Sequence, residues 1–159
     1  LLLEMFREYK KQNRNPLQLV TAGSRYVEIL PHEKNFIIDA GFVPENVKAR
    51  LYKNALLTCQ PSTKESFSIA VMESWLQKRP VIVNARSEVT DYWVKLSRGG
   101  FSFRNFFELE EILNFSLSNK NILDKMGKDG YEFTCKNFTW EKIIDRFYEA
   151  LVYFGMNQQ

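Results

Sequence analysis

Histidine occurs once and cysteine twice in this chain of 159 residues, and no apolar run is long enough to span a membrane. The single histidine, His32, falls in a loop-like stretch with no cysteine or second histidine at ligand spacing. That removes a zinc site and a catalytic triad. Cys59 lies in a strand-like run and Cys135 in a helix-like one. Without a secretory signal, the pair reads as buried reduced thiols rather than a disulfide. A helix crossing a bilayer needs at least about 18 apolar residues, so nothing here crosses one. Charge of one sign is scarce as well. A net charge of +3, with no Arg-rich tract and no aromatic–basic repeat, argues against nucleic acid as a partner. Neither G-x-G-x-x-G nor a Walker-type lysine loop occurs, which removes the usual dinucleotide and ATP signatures. No carboxylate cluster is present to hold a metal ion, so none is expected.

What is present is ordinary for one globular domain: 45% of residues are hydrophobic and 26% charged. Repeats, linkers and low-complexity stretches are missing, so residues 1–159 read as a single domain. The chain opens at Leu1 inside a helical pattern with no cap, which reads as a fragment of a longer protein.

Residues 1–13 are helix-like, with Leu2, Phe6 and Tyr9 on one face and Arg7, Lys10, Lys11 and Arg14 along another. That basic stripe reads first as a solvated face. The alternative is contact with an anionic membrane surface, for which four basic residues alone are weak. After Pro16, residues 17–23 read as a strand leaving through a Gly-Ser turn, and residues 35–40 as a second strand closed by Gly41. Pro44 and Glu45 open a helix with Val47, Leu51 and Ala55 on one side. Residues 56–60 form a third strand and residues 80–84 a fourth, with a helix over 88–97 and a short last strand at 100–103. From Phe106 onward the pattern is all helix: 106–117, about 119–136, and 139–154. Short, apolar, non-alternating strands with helices between them imply parallel strands covered on both faces, an α/β doubly wound, Rossmann-like sheet with a helical C-terminus. Such sheets bind ligands at the carboxyl ends of their strands.

At one such end stand two glutamates with seven residues between them, Glu65 and Glu73. The strand through Gln60 runs into a Pro-Ser-Thr turn, and a helix is expected to start near Ser66 or Phe67. Free amides at a helix start, with the macrodipole behind them, suit a phosphate. Here those of Phe67, Ser68 and Ile69 are the best oxyanion donors, with the Ser66 and Ser68 hydroxyls able to cap the helix or touch the phosphate. Glu73 lies two turns on, where a carboxylate can accept paired hydroxyls such as those of a ribose. Its helical neighbours Ile69, Ala70, Leu76 and Gln77 include no cation, so the pattern gives little support to a surface ion pair with the next turn. In so apolar a stretch the carboxylate needs a partner, and a ligand is the favoured one. Glu65 reads equally well as a first-turn acid favouring the helix dipole or as a ligand contact.

The run Pro61-Ser62-x-x-Glu65-Ser66-Phe67-Ser68-x-x-x-x-Glu73, followed by Lys78-Arg79-Pro80-Val81-Ile82-Val83, resembles the donor-binding motif of retaining glycosyltransferases with the GT-B fold. Gly41-Phe42-Val43 with Leu51-Tyr52-Lys53-Asn54-Ala55, Gly99-Gly100-Phe101-Ser102-Phe103 and Phe138-Thr139-Trp140-Glu141 resemble further segments of that family in the same order. The resemblance implies that the chain is the C-terminal, donor-binding half of a GT-B fold. Glu73 would bind the ribose hydroxyls of a nucleotide-diphosphate sugar and Glu65, as the catalytic-site residue, would contact the donor sugar. The amides after Glu65 would hold the diphosphate, and the base would lie against Gly41, Phe42 and Val43. The family commonly has glycine where Ser66 and Ser68 stand. Its Gly-Arg…Lys strand and loop match nothing in residues 1–15, so the first strand and the N-terminal acceptor domain would be absent. The implied activity is sugar transfer with retention, by front-face attack and without an enzyme nucleophile or a cofactor. The implied partners are the donor, an acceptor of unknown kind and the protein's own N-terminal domain. The implied location is cytoplasmic, with room for peripheral contact at the inner membrane face. A non-catalytic Rossmann-like module and a nucleotide-sugar epimerase half-domain are the rival readings. The epimerase needs a second acid or base beside Glu65, and a receiver-like domain needs an acidic pocket at the first strand end; the sequence offers neither.

Overall fold

The computed structural model describes residues 1–24 and 28–156. β4 (Val81–Asn84) is buried at all four positions, which is why its run Val81-Ile82-Val83 does not alternate. It pairs in parallel with β3 (Thr58–Gln60) on one side and β5 (Gly100–Phe103) on the other, Ile82 standing opposite Cys59 and Phe101. A second parallel pair joins β1 (Leu19–Thr21) to β2 (Ile37–Asp39), with Leu19 opposite Ile37. The strands therefore form two hydrogen-bonded groups, β1-β2 and β3-β4-β5. β1, β2 and β3 are shorter than the apolar runs suggest, because pairing covers only the middle of the first two runs and the last three residues of the third.

Helices cover both faces. α1 (Leu2–Gln12) and α5 (Phe106–Ser118) supply Phe6, Tyr9, Leu109 and Leu113 to one core, which also takes Ile37 from β2 and Ile82 from β4. That core thus lies under both strand groups. α3 (Ile69–Leu76) and α4 (Glu88–Ser97) supply Val71, Met72, Trp75 and Val94 to the other, facing Val81 and Val83. α2 (Glu45–Asn54) lies before β3 and has no fully buried residue. α6 (Lys120–Asn137) packs along α3, and α7 (Trp140–Met156) follows it.

Trp75 sets how closely α6 and α3 approach. Its ring is fully buried and its Nε1 donates to the Gly99 carbonyl at 2.8 Å. A Cβ on Gly130 would fall 2.3 Å from the indole and one on Gly99 2.6 Å from it. Gly127 is equally constrained, since a Cβ there would lie 2.0 Å from the Lys78 carbonyl.

The basic stripe of α1 is not a free face. Arg7 donates to both carboxylate oxygens of buried Glu33, at 2.7 and 2.8 Å, and to the Glu28 carbonyl at 2.7 Å. The Arg7 hydrogen bonds hold the Glu33 carboxyl below its usual range. Lys10 donates to the carbonyls of Asn15 and Leu17. Only Lys11, paired with Glu8, and exposed Arg14 remain outward. His32 is exposed on a single 3-10 turn over Pro31–Glu33 rather than in a plain loop. α7 does not pack its aromatic side into the chain's own core: Trp140 is 79% exposed, and Phe147, Tyr148 and Phe154 are more than half exposed. No helix among the described residues is long and apolar enough to cross a membrane.

Both cysteines are free and half-buried, so neither is the fully buried thiol its surroundings in sequence suggest. The core side of β3 nonetheless pushes the Cys59 thiol from 9.0 up to about 12. Raised in this direction, it stays protonated and unreactive from neutral pH to well above 9 while the chain is folded. At pH 8 a chromogenic disulfide reagent is expected to titrate Cys135 in the native protein and Cys59 only after denaturation; prompt native reaction of both would contradict this placement.

The Trp75 socket makes a paired prediction for denaturant unfolding. Gly130→Ala should cost about 1–3 kcal/mol by overpacking. Gly155→Ala on α7, where a Cβ meets nothing within 4 Å, should instead gain about 0.5–1 kcal/mol from helix propensity.

Candidate functional site

Between β3 and α3 the chain makes a loop over residues 61–68, fastened at the carboxyl ends of two strands. Gln60, the last residue of β3, accepts the Ser62 N–H at 3.3 Å through Oε1 and donates to Ser68 Oγ at 3.3 Å through Nε2. Asn84, the last residue of β4, donates to the Pro61 carbonyl at 3.3 Å. Inside the loop the Ser62 hydroxyl donates to the Lys64 carbonyl at 2.9 Å and accepts the Lys64 N–H.

α3 starts at Ile69, later than the expected Ser66 or Phe67. The reason is Ser68, which sits in the left-handed region at φ 66°, ψ 81° and stops a right-handed helix from extending back through it. Ser68 is at the N-cap position but its side chain caps nothing; its carbonyl accepts the Val71 and Met72 N–H groups at 3.2 and 3.4 Å. Exposed Ser66 caps nothing either. The amides of Phe67, Ser68, Ile69 and Ala70 are left without a hydrogen-bond partner among the described residues. Ile69 presents its side chain to solvent, 68% exposed. Phe67, half-buried, turns its ring inward onto Phe138. Four unspent N–H dipoles at a helix start are free to receive an anion.

Glu73, two turns into this unit, is half-buried and paired. Its Oε1 accepts from Lys48 Nζ at 2.7 Å and its Oε2 from the Tyr52 hydroxyl at 3.3 Å. Lys48 also meets Glu45 at 2.9 Å. Hydrogen bonds to Glu73 and Glu45 raise the Lys48 ammonium above its usual range, so it stays charged. Burial, with the Glu73 charge behind it, pushes the Tyr52 hydroxyl up to about 12, so it remains a donor. The cation that Glu73 lacks on its own helix therefore comes from α2. Lys48 and Tyr52 thereby join the candidate site, and neither stands out in the sequence. Their spacing of four shows that they share a helix face, but nothing local says that this face meets α3.

Glu65 has no hydrogen bond or ion pair among the described residues and lines an open cavity of about 490 Å³ with Lys64, Ser66, Arg86, Ser87 and Glu88. Lys64 and Arg86 are exposed cations with no ion-pair partner among the described residues. A hollow of about 620 Å³ lined by Lys10, Asn13, Arg14, Asn15, Asn35 and Phe36 is larger, but it has no carboxylate. Phe42, 85% exposed, and half-buried Val43 lie between β2 and α2, where Gly41 turns at φ 61°. No hydrogen bond or ring contact joins either of them to Glu65 or Glu73. The structure thus unites Glu65, the 66–69 amides and Glu73 on one loop–helix unit, adds Lys48 and Tyr52, and leaves Phe42 and Val43 linked to them only through α2.

The family described as "Glycosyl transferases group 1" matches residues 1–133. The chain belongs to that family. Its fold is that of GT-B glycosyltransferases. HepE of Anabaena, solved in complex with UDP, superposes with a TM-score of 0.75 at 16% identity, over 94% of this chain and 44% of that one. Sucrose-phosphate synthase from Thermosynechococcus elongatus gives 0.72 at 19% identity, over 94% and 42%. WaaG, a glycosyltransferase involved in lipopolysaccharide biosynthesis, gives 0.59 at 16% identity, over 73% and 33%. This group 1 chain therefore spans less than half the length of each of these structures, and at such identities the likeness is one of fold. No curated protein sequence matches it.

Mutual partners are not lost independently. Glu73→Gln and Lys48→Met are expected to lower the urea midpoint singly. The double variant should be no worse than the weaker single; strict additivity would show that the pair does not interact in solution.

Proposed function

We propose that this chain is the donor-binding domain of a glycosyltransferase that moves a sugar, of hexose type, from a nucleotide-diphosphate sugar to an acceptor with retention of configuration. The observation that carries the reading is the unit from Glu65 to Glu73. Unspent amides lie between two carboxylates, one beside an open cavity and the other held by Lys48 and Tyr52. The diphosphate lies against the amides of Phe67, Ser68 and Ile69. The ribose hydroxyls donate to Glu73, whose oxygens each keep a lone pair beyond the one already in use. The sugar occupies the cavity beside Glu65, and the base lies against Phe42 and Val43. That HepE was solved with UDP and with UDP and glucose supports the choice of ligand class.

In transfer, charge builds on the leaving diphosphate, and donors already aimed at it stabilise that charge without reorganising. The loop amides supply such donors, and Lys64 and Arg86 add positive charge beside them. Front-face attack by the acceptor gives retention with no enzyme nucleophile, and this scheme calls on no metal or cofactor. The split between β1-β2 and β3-β4-β5 over a shared core supports one more parallel strand, pairing with β1 and β3, from a part of the protein outside these residues. The acceptor is then read by the protein's own N-terminal domain, and 1–159 alone transfers nothing. The location is cytoplasmic, with Lys11 and Arg14 the part of the α1 stripe still available to an anionic membrane face.

Thermal unfolding with UDP, GDP and dTDP, for the wild type and Glu73→Ala, tests the reading. A ligand at about 100 times its dissociation constant adds roughly 2.7 kcal/mol. One nucleotide is expected to stabilise the wild type and to lose most of that effect in the variant. Equal stabilisation of both would favour a module that does not use Glu73, and sugar transfer by residues 1–159 alone would refute the division of labour.

A further inference from the structure

Phe67 is the one aromatic side chain of the 61–68 loop. It lies between Ser66 and Ser68, so its two peptide groups carry the unpaired N–H groups of Phe67 and Ser68. Its ring meets Phe138 edge-on, with centroids 5.1 Å apart and planes at 81°. Phe138 is far along the chain, at the end of α6, where its N–H donates to the Thr134 carbonyl at 2.9 Å. It is itself wedged edge-on against Trp93 of α4 at 5.4 Å and Phe133 of α6 at 5.7 Å. Trp93 and Phe133 also touch each other, and Phe133 touches buried Trp75. Among the described residues, Phe138 is the only ring against Phe67. Phe67 and Phe138 both pack against the second core, and their ring pair ties the loop to the end of α6, while its other fastenings, Gln60 and Asn84, act on residues 61, 62 and 68.

We propose that Phe138 is a positioning residue of the donor site: by holding the Phe67 ring it fixes the direction of the amides that receive the diphosphate. The proposal rests on the donor reading above and adds a residue from the junction of α6 and α7. Edge-to-face geometry resists sliding of one ring over the other, so the pair fixes Phe67 in orientation as well as depth. Only the phosphate-binding amides depend on this orientation. Glu73 is held separately by Lys48 and Tyr52, so ribose and base recognition are independent of Phe138.

The test uses calorimetric titration of the full-length protein with UDP, GDP and dTDP and, for whichever binds, with its nucleoside. The variants are Phe138→Ala, Phe138→Leu and Phe133→Leu. The last loosens the same cluster without touching Phe67. Phe138→Ala is expected to weaken the nucleoside diphosphate about tenfold and leave the nucleoside unchanged. Phe138→Leu should restore most of the loss, and Phe133→Leu should bind both ligands as the wild type does. Equal loss of diphosphate and nucleoside, the same phosphate-specific loss in Phe133→Leu, or no loss in Phe138→Ala would each overturn the proposal. A wild type that binds no nucleoside diphosphate at all would sink the donor reading itself, and this inference with it.

Discussion

The buried indole of Trp75 is the constraint on which the site depends. Its Nε1 is satisfied by the Gly99 carbonyl, and Gly99 and Gly130 lie against the ring, each too near to carry a side chain. A buried indole with its donor paired and no free volume around it has one position. α3 is short, Ile69–Leu76, so a helix pinned at Trp75 is pinned throughout. Glu73 is two residues before Trp75 and Ser68 seven before, within rigid helical distance of the pin. The glycines that make the socket come from the loop before β5 and from α6, so the last helices of the domain hold the site at its middle.

The polar side of α3 is set by a different economy. Glu73 carries a charge on a helix whose other sides are apolar, and a lone carboxylate there would be costly. Lys48 and Tyr52 remove most of that cost without closing the carboxylate, since each oxygen has one partner and can take another. The result is a fixed acceptor that is still able to accept. Both donors keep their protons throughout the neutral range, Lys48 because Glu73 and Glu45 stabilise its charge and Tyr52 because burial opposes losing its own proton.

Legibility in the sequence followed how local each cause was. β4, α4 and β5 stand out because Pro80, the Ser87-Glu88 start and Gly99-Gly100 punctuate dense apolar runs, and the structure keeps those bounds. The parallel doubly wound architecture was readable for the same reason. The start of α3 was not, because Ser66-Phe67-Ser68 favours a cap at any of its positions, and the left-handed Ser68 is a tertiary choice. The partner of Glu73 was invisible because it is 25 residues away, on a helix whose facing cannot be read from its own pattern. Arg7 and Lys10 were read as a surface stripe from spacing alone, while Glu33 and the carbonyls that occupy them come from later turns. Glu65 and Glu73 stand out as a unit by their position at a strand end, a topological signal that needs no knowledge of contacts, and the structure keeps them on one loop–helix unit after β3.

Ser68 shows how the loop reconciles strain with function. A non-glycine residue at φ 66° costs on the order of 1–3 kcal/mol. Its buried hydroxyl recovers part of this through Gln60 Nε2, a bond of a kind worth about 0.5–1.5 kcal/mol. A glycine there would relieve the strain, but would also release the tie to β3 and enlarge the conformational freedom of the loop when unfolded. Serine therefore exchanges some stability for a loop anchored to the strand end that presents its amides. The left-handed turn also frees one further amide: a helix begun two residues earlier would bring the N–H of Ala70 within reach of the Ser66 carbonyl and consume it, whereas those of Phe67, Ser68 and Ile69 are unspent at either start. Strain at Ser68 and the free Ala70 amide are thus two consequences of one backbone choice.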